Sequence, residues 1–370
     1  MIYFDHNATT PLDERVLEAM LPYQRAYYGN ASGLYRLGRL SRGAVDTARQ
    51  QVAAWLGAHP SEVIFTSGGT EANNLALKGL ASTLDPASIA AGATEHPSVV
   101  APLRFLERRG WRVRTIPVDR NGHPDALFLD EFRGDRLAFA TLMLANNETG
   151  VIHDIAPVAG KVRECGGFFH VDAVQAAGKL PVDFSTSGAH TLSVSAHKIY
   201  GPKGVGALLA DRSAPLEPLI HGGGQEQGLR GGTENVAGIV GFGRAAELGL
   251  AELEERRSRQ SELRGRLEAG LAGLPGITIF AKGAERLSNT VQFGVAGHDG
   301  EALVMNLDRM GFAVSSGSAC GSGGGEPSPV LTAMGVDAET AKGAVRVSLG
   351  KDNTETEVLR FLEALGTLLR

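Results

Sequence analysis

The sequence predicts an α/β fold, with a large domain built on a mostly parallel sheet and a smaller α+β domain. Three observations lead there. Between residues 62 and 210, short and nearly continuous apolar runs alternate with stretches of helical periodicity. Such runs suit strands whose sheet is covered by helices on both faces. The runs end in polar or glycine-rich turns, at the sheet edge where open parallel sheets bind ligands. After residue 277 the elements shorten, as in a compact α+β unit.

Length and composition bound the answer further. The chain has 370 residues, 43% of them hydrophobic. That exceeds the roughly 250–300 residues one core usually supports, so two domains are expected. They are drawn as residues 12–257 for the large domain, with 1–11 and 258–370 for the small one. The net charge of −5 and the lack of a dense basic run argue against a nucleic-acid surface. No apolar run approaches the ~20 residues that span a bilayer. Met1 to His6 carry no basic-then-apolar leader, and the chain has two cysteines, too few for a disulfide framework. A cytoplasmic location is expected.

In chain order, Thr10-Pro11 reads as a helix start, with Val16, Leu17, Met20 and Leu21 on its apolar face. Gly29 to Gly33 form a loop, and Ser41 opens a helix that buries Val45, Ala48 and Val52 and ends at Gly57. Residues 62–66 form a strand, Ser67-Gly68-Gly69-Thr70-Glu71 a turn, and residues 72–80 a helix. Backbone N–H groups and the helix dipole make such a junction an anion site, although neither a Walker loop nor a dinucleotide fingerprint is present. Strands follow at 87–94, 111–118, 136–144, 168–171, 191–194 and 205–210, with helices after His96 and over 155–165. Residues 221–232 are a glycine-rich loop, and one long helix is expected from 232 to about 257. Strands at 277–280, 290–295 and 312–314 and a helix at 301–310 complete the smaller domain.

Candidate chemistry collects at the strand ends. His96, Asn147, Asp172, Gln175, His197 and Lys198 all fall just past predicted strands. Lysine alone among side chains forms a Schiff base with an aldehyde cofactor, and burial or neighbouring charge makes it nucleophilic. A lysine after one strand, an acid after another and a Gly-Thr helix terminus together meet the needs of pyridoxal phosphate. Lys198 would bind it, Asp172 would face the pyridine nitrogen, and Gln175 would reach the ring oxygen. Thr70 and Ser195 would hold the phosphate, and His96 would stack on the ring. Cys165, at a helix end, suits a structural role. Cys320 sits in Ser315-Ser316-Gly317-Ser318-Ala319-Cys320-Gly321-Ser322-Gly323-Gly324-Gly325, a composition that predicts a mobile loop and a reactive thiol. Arg346 lies within an apolar strand, either on its solvent face or as a clamp for a carboxylate. An aminotransferase needs no mobile cysteine, whereas a carbon–sulfur lyase acting on cysteine uses one to take up sulfur.

With these motifs in order, the chain resembles the NifS/IscS-type cysteine desulfurases of the class V aminotransferase group, which are fold-type I pyridoxal-phosphate enzymes. The resemblance covers nearly the whole chain. Its motifs are Asn7-Ala8-Thr9-Thr10-Pro11, Ser67-Gly68-Gly69-Thr70-Glu71-Ala72-Asn73-Asn74, Thr94-Glu95-His96, Asn146-Asn147-Glu148-Thr149-Gly150, His170-Val171-Asp172-Ala173-Val174-Gln175, Ser195-Ala196-His197-Lys198 and Ser316-Gly317-Ser318-Ala319-Cys320. It implies that L-cysteine becomes L-alanine, with the sulfur received by Cys320 as a persulfide. It implies Lys198 as the Schiff-base lysine and His96 as an aid to proton transfer. Gly69, Thr70, Asn147, Asp172, Gln175, Ser195 and His197 would surround the cofactor. Asn147 and Arg346 would bind the substrate carboxylate. Thr233 would reach the phosphate of a neighbouring subunit, which implies a homodimer. The persulfide would pass to an iron–sulfur scaffold or another acceptor thiol. No resident metal is implied, and a transient iron–sulfur contact at Cys320 stays open.

Overall fold

The computed structural model describes residues 1–132, 135–316 and 327–370. Its first strand, β1 (Ile2–Tyr3), pairs in parallel with a late one. Helix α1 (Glu14–Arg25) follows. Its cap is Asp13, not the expected Thr10-Pro11. The Asp13 carboxylate accepts from the Arg15 N–H and guanidinium and from Lys351, and the Arg15 hydrogen bond holds it far below the usual carboxylate range. Helix α2 (Arg36–Trp55) starts ahead of Ser41, which lies buried inside it.

The large sheet is built from β2 (Val63–Thr66), β3 (Ser88–Gly92), β4 (Arg112–Ile116), β5 (Leu137–Met143), β6 (Phe168–Asp172), β7 (Thr191–Ser195) and β8 (Gly206–Ala210). The order is β2-β8-β7-β6-β5-β3-β4, and β8 alone runs against the rest. Between strands come α3 (Gly69–Thr83), α4 (Pro97–Glu107), α5 (Ala156–Glu164) and the single turn α6 (Phe184–Ser187). Alternate strand residues enter opposite cores, as a period of two dictates. Ala90 joins one core and its neighbours Ile89 and Ala91 the other, under α3 and α4. Val63 and Phe65 join Ala90 in the core that also holds residues of α1, α2 and α7 (Val236–Ala251).

The expected long helix is instead two. Asn235 caps α7, and α8 (Leu253–Ala272) follows across Glu252. Helix α8 packs on a second sheet made of β9 (Ile277–Ile279), β10 (Thr290–Val295), β12 (Ser315–Ser316) and β13 (Ala344–Ser348), in the antiparallel order β12-β13-β10-β9. Helix α9 (Gly300–Arg309) and β11 (Phe312–Ala313), the partner of β1, lie between β10 and β12. The expected strand over 312–314 is thus shortened to β11, and a separate strand of the second sheet, β12, begins at Ser315. The short helices α10 (Pro329–Ala333) and α11 (Ala338–Lys342) precede β13.

The last helix, α12 (Glu355–Leu368), was not foreseen, although Thr354 and Glu357 form a capping box at its start. Its Phe361 is fully buried and meets Phe4 and Phe312 edge to face. Among the described residues no helix is long and apolar enough to cross a membrane. Phe361→Ala should cost about 3–5 kcal/mol, read as a lowered urea midpoint.

Candidate functional site

Because β3, β5, β6 and β7 run in parallel, their C-terminal ends share one edge. The residues that follow them line a single cavity of about 630 Å³, within the usual range for a small-molecule site. Gly69, Thr70, His96, Asn147, Asp172, Gln175, Ser195, His197, Lys198 and Arg346 all contribute to its wall. Cys320 lies outside the described residues. Thr233 is exposed and does not line the cavity of the single chain.

At one end stands the N-terminus of α3. Gly68 is its N-cap, and among the described residues no side chain caps the first N–H groups. A Cβ on Gly69 would come within 2.7 Å of Val174 Cγ2, so only glycine lets the turn pass this close. The Ser195 Oγ is buried nearby without a hydrogen-bond partner among the described residues. An uncapped helix terminus with an orphaned hydroxyl beside it is a receptor for an anion.

Asp172 ends β6. Asn73, on α3, donates to its Oδ2 at 2.7 Å, and the Val174 N–H donates to its Oδ1 at 3.0 Å. Asn73 also contacts His170 Nε2 through its Oδ1 at 3.0 Å and donates to Ser98 Oγ. Ser98 N–H in turn donates to His96 Nδ1, so the neutral ring carries its proton on Nε2. Burial lowers the His96 pKa, with the Lys198 charge acting in the same direction. Asn73 thus links the acid to the histidine. Its place in the sequence motif carries no sign of that role.

Lys198 follows β7 in a single helical turn, Ala196–Lys198. Its Nζ donates to the backbone carbonyls of Asn7 and Ala8, the latter at 2.8 Å. Tyr200, two residues on, holds a left-handed backbone with φ 67, and its hydroxyl accepts the Lys351 N–H at 2.7 Å. His197 is pushed down to about 4, by burial first and then by Lys198 and Lys203.

The opposite wall comes from the second sheet. Arg346 and Gln292 are cross-strand partners and share a face with Thr290 and Ser348. The intervening Val291, Phe293, Val345 and Val347 turn into the core beneath. Arg346 is buried, so the solvent-face alternative is excluded. Its Nη1 donates to the Asn147 carbonyl at 3.0 Å and its Nη2 pairs with Asp5 at 2.6 Å, while its Nε has no partner among the described residues.

Three buried groups have no role evident from the sequence. Glu95 accepts the Met143 N–H at 2.7 Å, and burial, reinforced by Asp172, raises its pKa well above the usual range. Burial also raises the Glu148 pKa, against donors from Ser328 and Gln292. Lys179 is buried with Gln175 and Asn7 as partners.

A family model for class-V aminotransferases matches residues 2–361. The chain belongs to the class-V aminotransferase family. Within that family, it is 44% identical over 367 residues to a protein named cysteine desulfurase from Trichormus azollae, covering 99% of this chain and 92% of that one. A solved NifS-like protein superposes with a TM-score of 0.94 at 39% identity, over 100% of this chain and 99% of that one. The structure described as SspA in complex with cysteine gives a TM-score of 0.84 at 33% identity, over 96% of this chain and 100% of that one. These likenesses bear out the fold-type I class expected from the sequence.

Burial also pushes His6, His153 and His170 down to about 4. In the unfolded chain they titrate near 6.5. Between those values the unfolded state binds protons that the folded state refuses, so stability falls as pH falls. The thermal midpoint should drop from pH 6.5 toward 4, and a His170→Asn variant should show a shallower drop over that window.

Proposed function

We propose that this protein is a cysteine desulfurase that uses pyridoxal 5'-phosphate to convert L-cysteine to L-alanine, delivering the sulfur to Cys320 as a persulfide. What supports the reading is the convergence of Lys198, Asp172, His96 and Arg346 on one cavity, in a chain whose relatives carry that name. The residues fit the cofactor. The α3 terminus and the unpartnered Ser195 hydroxyl suit its phosphate, with Thr70 and His197 beside them, and Asp172 suits its pyridine nitrogen. When bound, pyridoxal phosphate supplies an electron sink for the carbon skeleton of the substrate.

The chain's own groups do the rest. Lys198 would hold the cofactor and would be the group placed to move protons at the substrate carbon. Asn73 and the Val174 N–H keep Asp172 turned inward. Neutral His96 presents an N–H on Nε2 and shares proton transfer. Arg346 and Asn147, which both line the cavity, would receive the substrate carboxylate.

A second copy of the chain completes the assembly. Thr233 stands in a loop anchored by the Arg49–Glu226 and Arg230–Glu71 ion pairs, facing outward. Tyr28, Leu34 and Tyr35 leave an exposed apolar surface on the same chain. A homodimer would bury such a surface and bring Thr233 to the partner's phosphate. Residues 12–257 would form the cofactor domain, and 1–11 with 258–370 the smaller one. The persulfide would then pass to an iron–sulfur scaffold or another acceptor thiol.

Purified protein given L-cysteine and a thiol reductant should release sulfide and alanine in equal amounts, and Cys320→Ala should release neither. Alanine without dependence on Cys320 would point to a selenocysteine lyase or aminotransferase, and the absence of turnover despite bound cofactor to a non-catalytic partner protein. Arg346→Lys should raise KM for cysteine by about tenfold or more, since a lysine does not reproduce bidentate carboxylate binding.

A further inference from the structure

Lys179 is an ionisable amine in a place that, among the described residues, gives it no counter-ion. It is 7% exposed, and among the described residues no carboxylate lies within ion-pair distance of its Nζ. Asp5 is taken by Arg346, and Asp172 by Asn73 and the Val174 N–H. The charged groups that act on it, Lys198 and Arg346, are both positive, and Lys179 in turn disfavours the charged form of His6. Burying a lysine there is costly, and an apolar side chain of like length would fill the same space without that cost.

What the lysine does have is two oxygens. Its Nζ donates to Gln175 Oε1 at 2.6 Å and to Asn7 Oδ1 at 2.7 Å. An amide side chain is nearly symmetric in shape, so its two orientations are told apart only by hydrogen bonding. Charged lysine has no acceptor. Neutral lysine still has two N–H groups for these two oxygens. The charged form therefore holds both amides one way round, and the neutral form, whose single lone pair can accept one N–H, still holds at least one of them. Gln175 then turns its nitrogen to the Asn7 carbonyl at 2.9 Å, with its second N–H left for the cavity. Asn7 turns its nitrogen to Thr290 Oγ1 and to the Asn147 carbonyl, the same carbonyl that Arg346 contacts.

We propose that Lys179 is a positioning residue: it fixes the Gln175 and Asn7 amides so that N–H donors face the cofactor's ring oxygen and the Asn147 carbonyl beside the substrate-binding arginine. This inference rests on the pyridoxal-phosphate reading above. It gives a buried lysine, outside the set of groups that touch cofactor or substrate, control over both sides of the site.

The test is the pH midpoint of the visible absorption band of the bound cofactor, measured on full-length holoenzyme. In Lys179→Met the Gln175 amide loses the donor that holds its oxygen, leaving only the Asn7 carbonyl on its nitrogen, and a nearby group able to carry positive charge is removed. Both changes favour the protonated form of the bound cofactor, so the midpoint should rise by about one pH unit. Lys179→Gln keeps N–H donors and should recover most of the wild-type midpoint. Superimposable titrations of wild type and Lys179→Met would overturn the inference alone. A wild type that forms no visible band with pyridoxal phosphate would overturn the cofactor reading and this inference together. Should Lys179→Met not fold, a crystal structure of the wild-type holoenzyme decides. Lys179 on Gln175 Oε1, with the amide nitrogen toward the ring oxygen, supports the inference. Gln175 turned with its oxygen to the ring refutes it.

Discussion

The two sheets meet at Asn7, and the cavity depends on the way that one buried residue is satisfied. It is 1% exposed, so each of its polar groups must find a partner within the protein. Its N–H donates to Ser348 on β13, and its side chain contacts Thr290 on β10 and the neighbouring Asn289. These tie it to the second sheet. Its carbonyl accepts from Gln175 and Lys198, and its side chain joins Lys179 to the Asn147 carbonyl. These tie it to the edge of the large sheet. The two surfaces are held in register here by directional bonds, which tolerate little sliding.

Burial then sorts the charges inside. Glu95 and Glu148 are pushed toward their protonated forms, and His96, His170, His197 and Lys179 toward their neutral ones. In each case desolvation is the leading cause. The formal count of ionisable groups in the wall therefore overstates the charge an incoming anion meets. Arg346 is held in the wall by a carboxylate, Asp5, on Nη2 and by the Asn147 carbonyl on Nη1.

Much of this was legible in the chain. Strand ends were readable because apolar runs stop abruptly at polar residues, and a parallel sheet then brings Asp172, Ser195 and Lys198 together with no further information. Helix starts were read less well. Thr10-Pro11 is a plausible signal, but Asp13 wins because its carboxylate has Arg15 and Lys351 as partners, and Lys351 is remote in sequence. The missed α12 had a readable signature in Thr354 and Glu357 ahead of Val358 and Phe361. Asn73, Glu95 and Lys179 were a different matter. Each looks like an ordinary helix or turn residue, and each acquires its place from partners roughly a hundred positions away or more in the case of Asn73 and Lys179, and 48 in that of Glu95.

The position of Arg346 is the clearest case of how two periodicities make one site. Along β13, Val345 and Val347 must enter the core under α8, α9 and α12 because they are apolar and alternate. That requirement turns Arg346 to the other face, which would be solvent if the second sheet stood alone. Asn7 and Asp5 bring that face against the strand ends, and the arginine becomes part of a cavity wall. Neither sheet contains the site. The large sheet supplies the lysine and the acid, the small sheet supplies the arginine, and the polar residues at their junction decide which way each group faces. A chain read strand by strand gives the first two and leaves the orientation undecided, because orientation is a property of the junction.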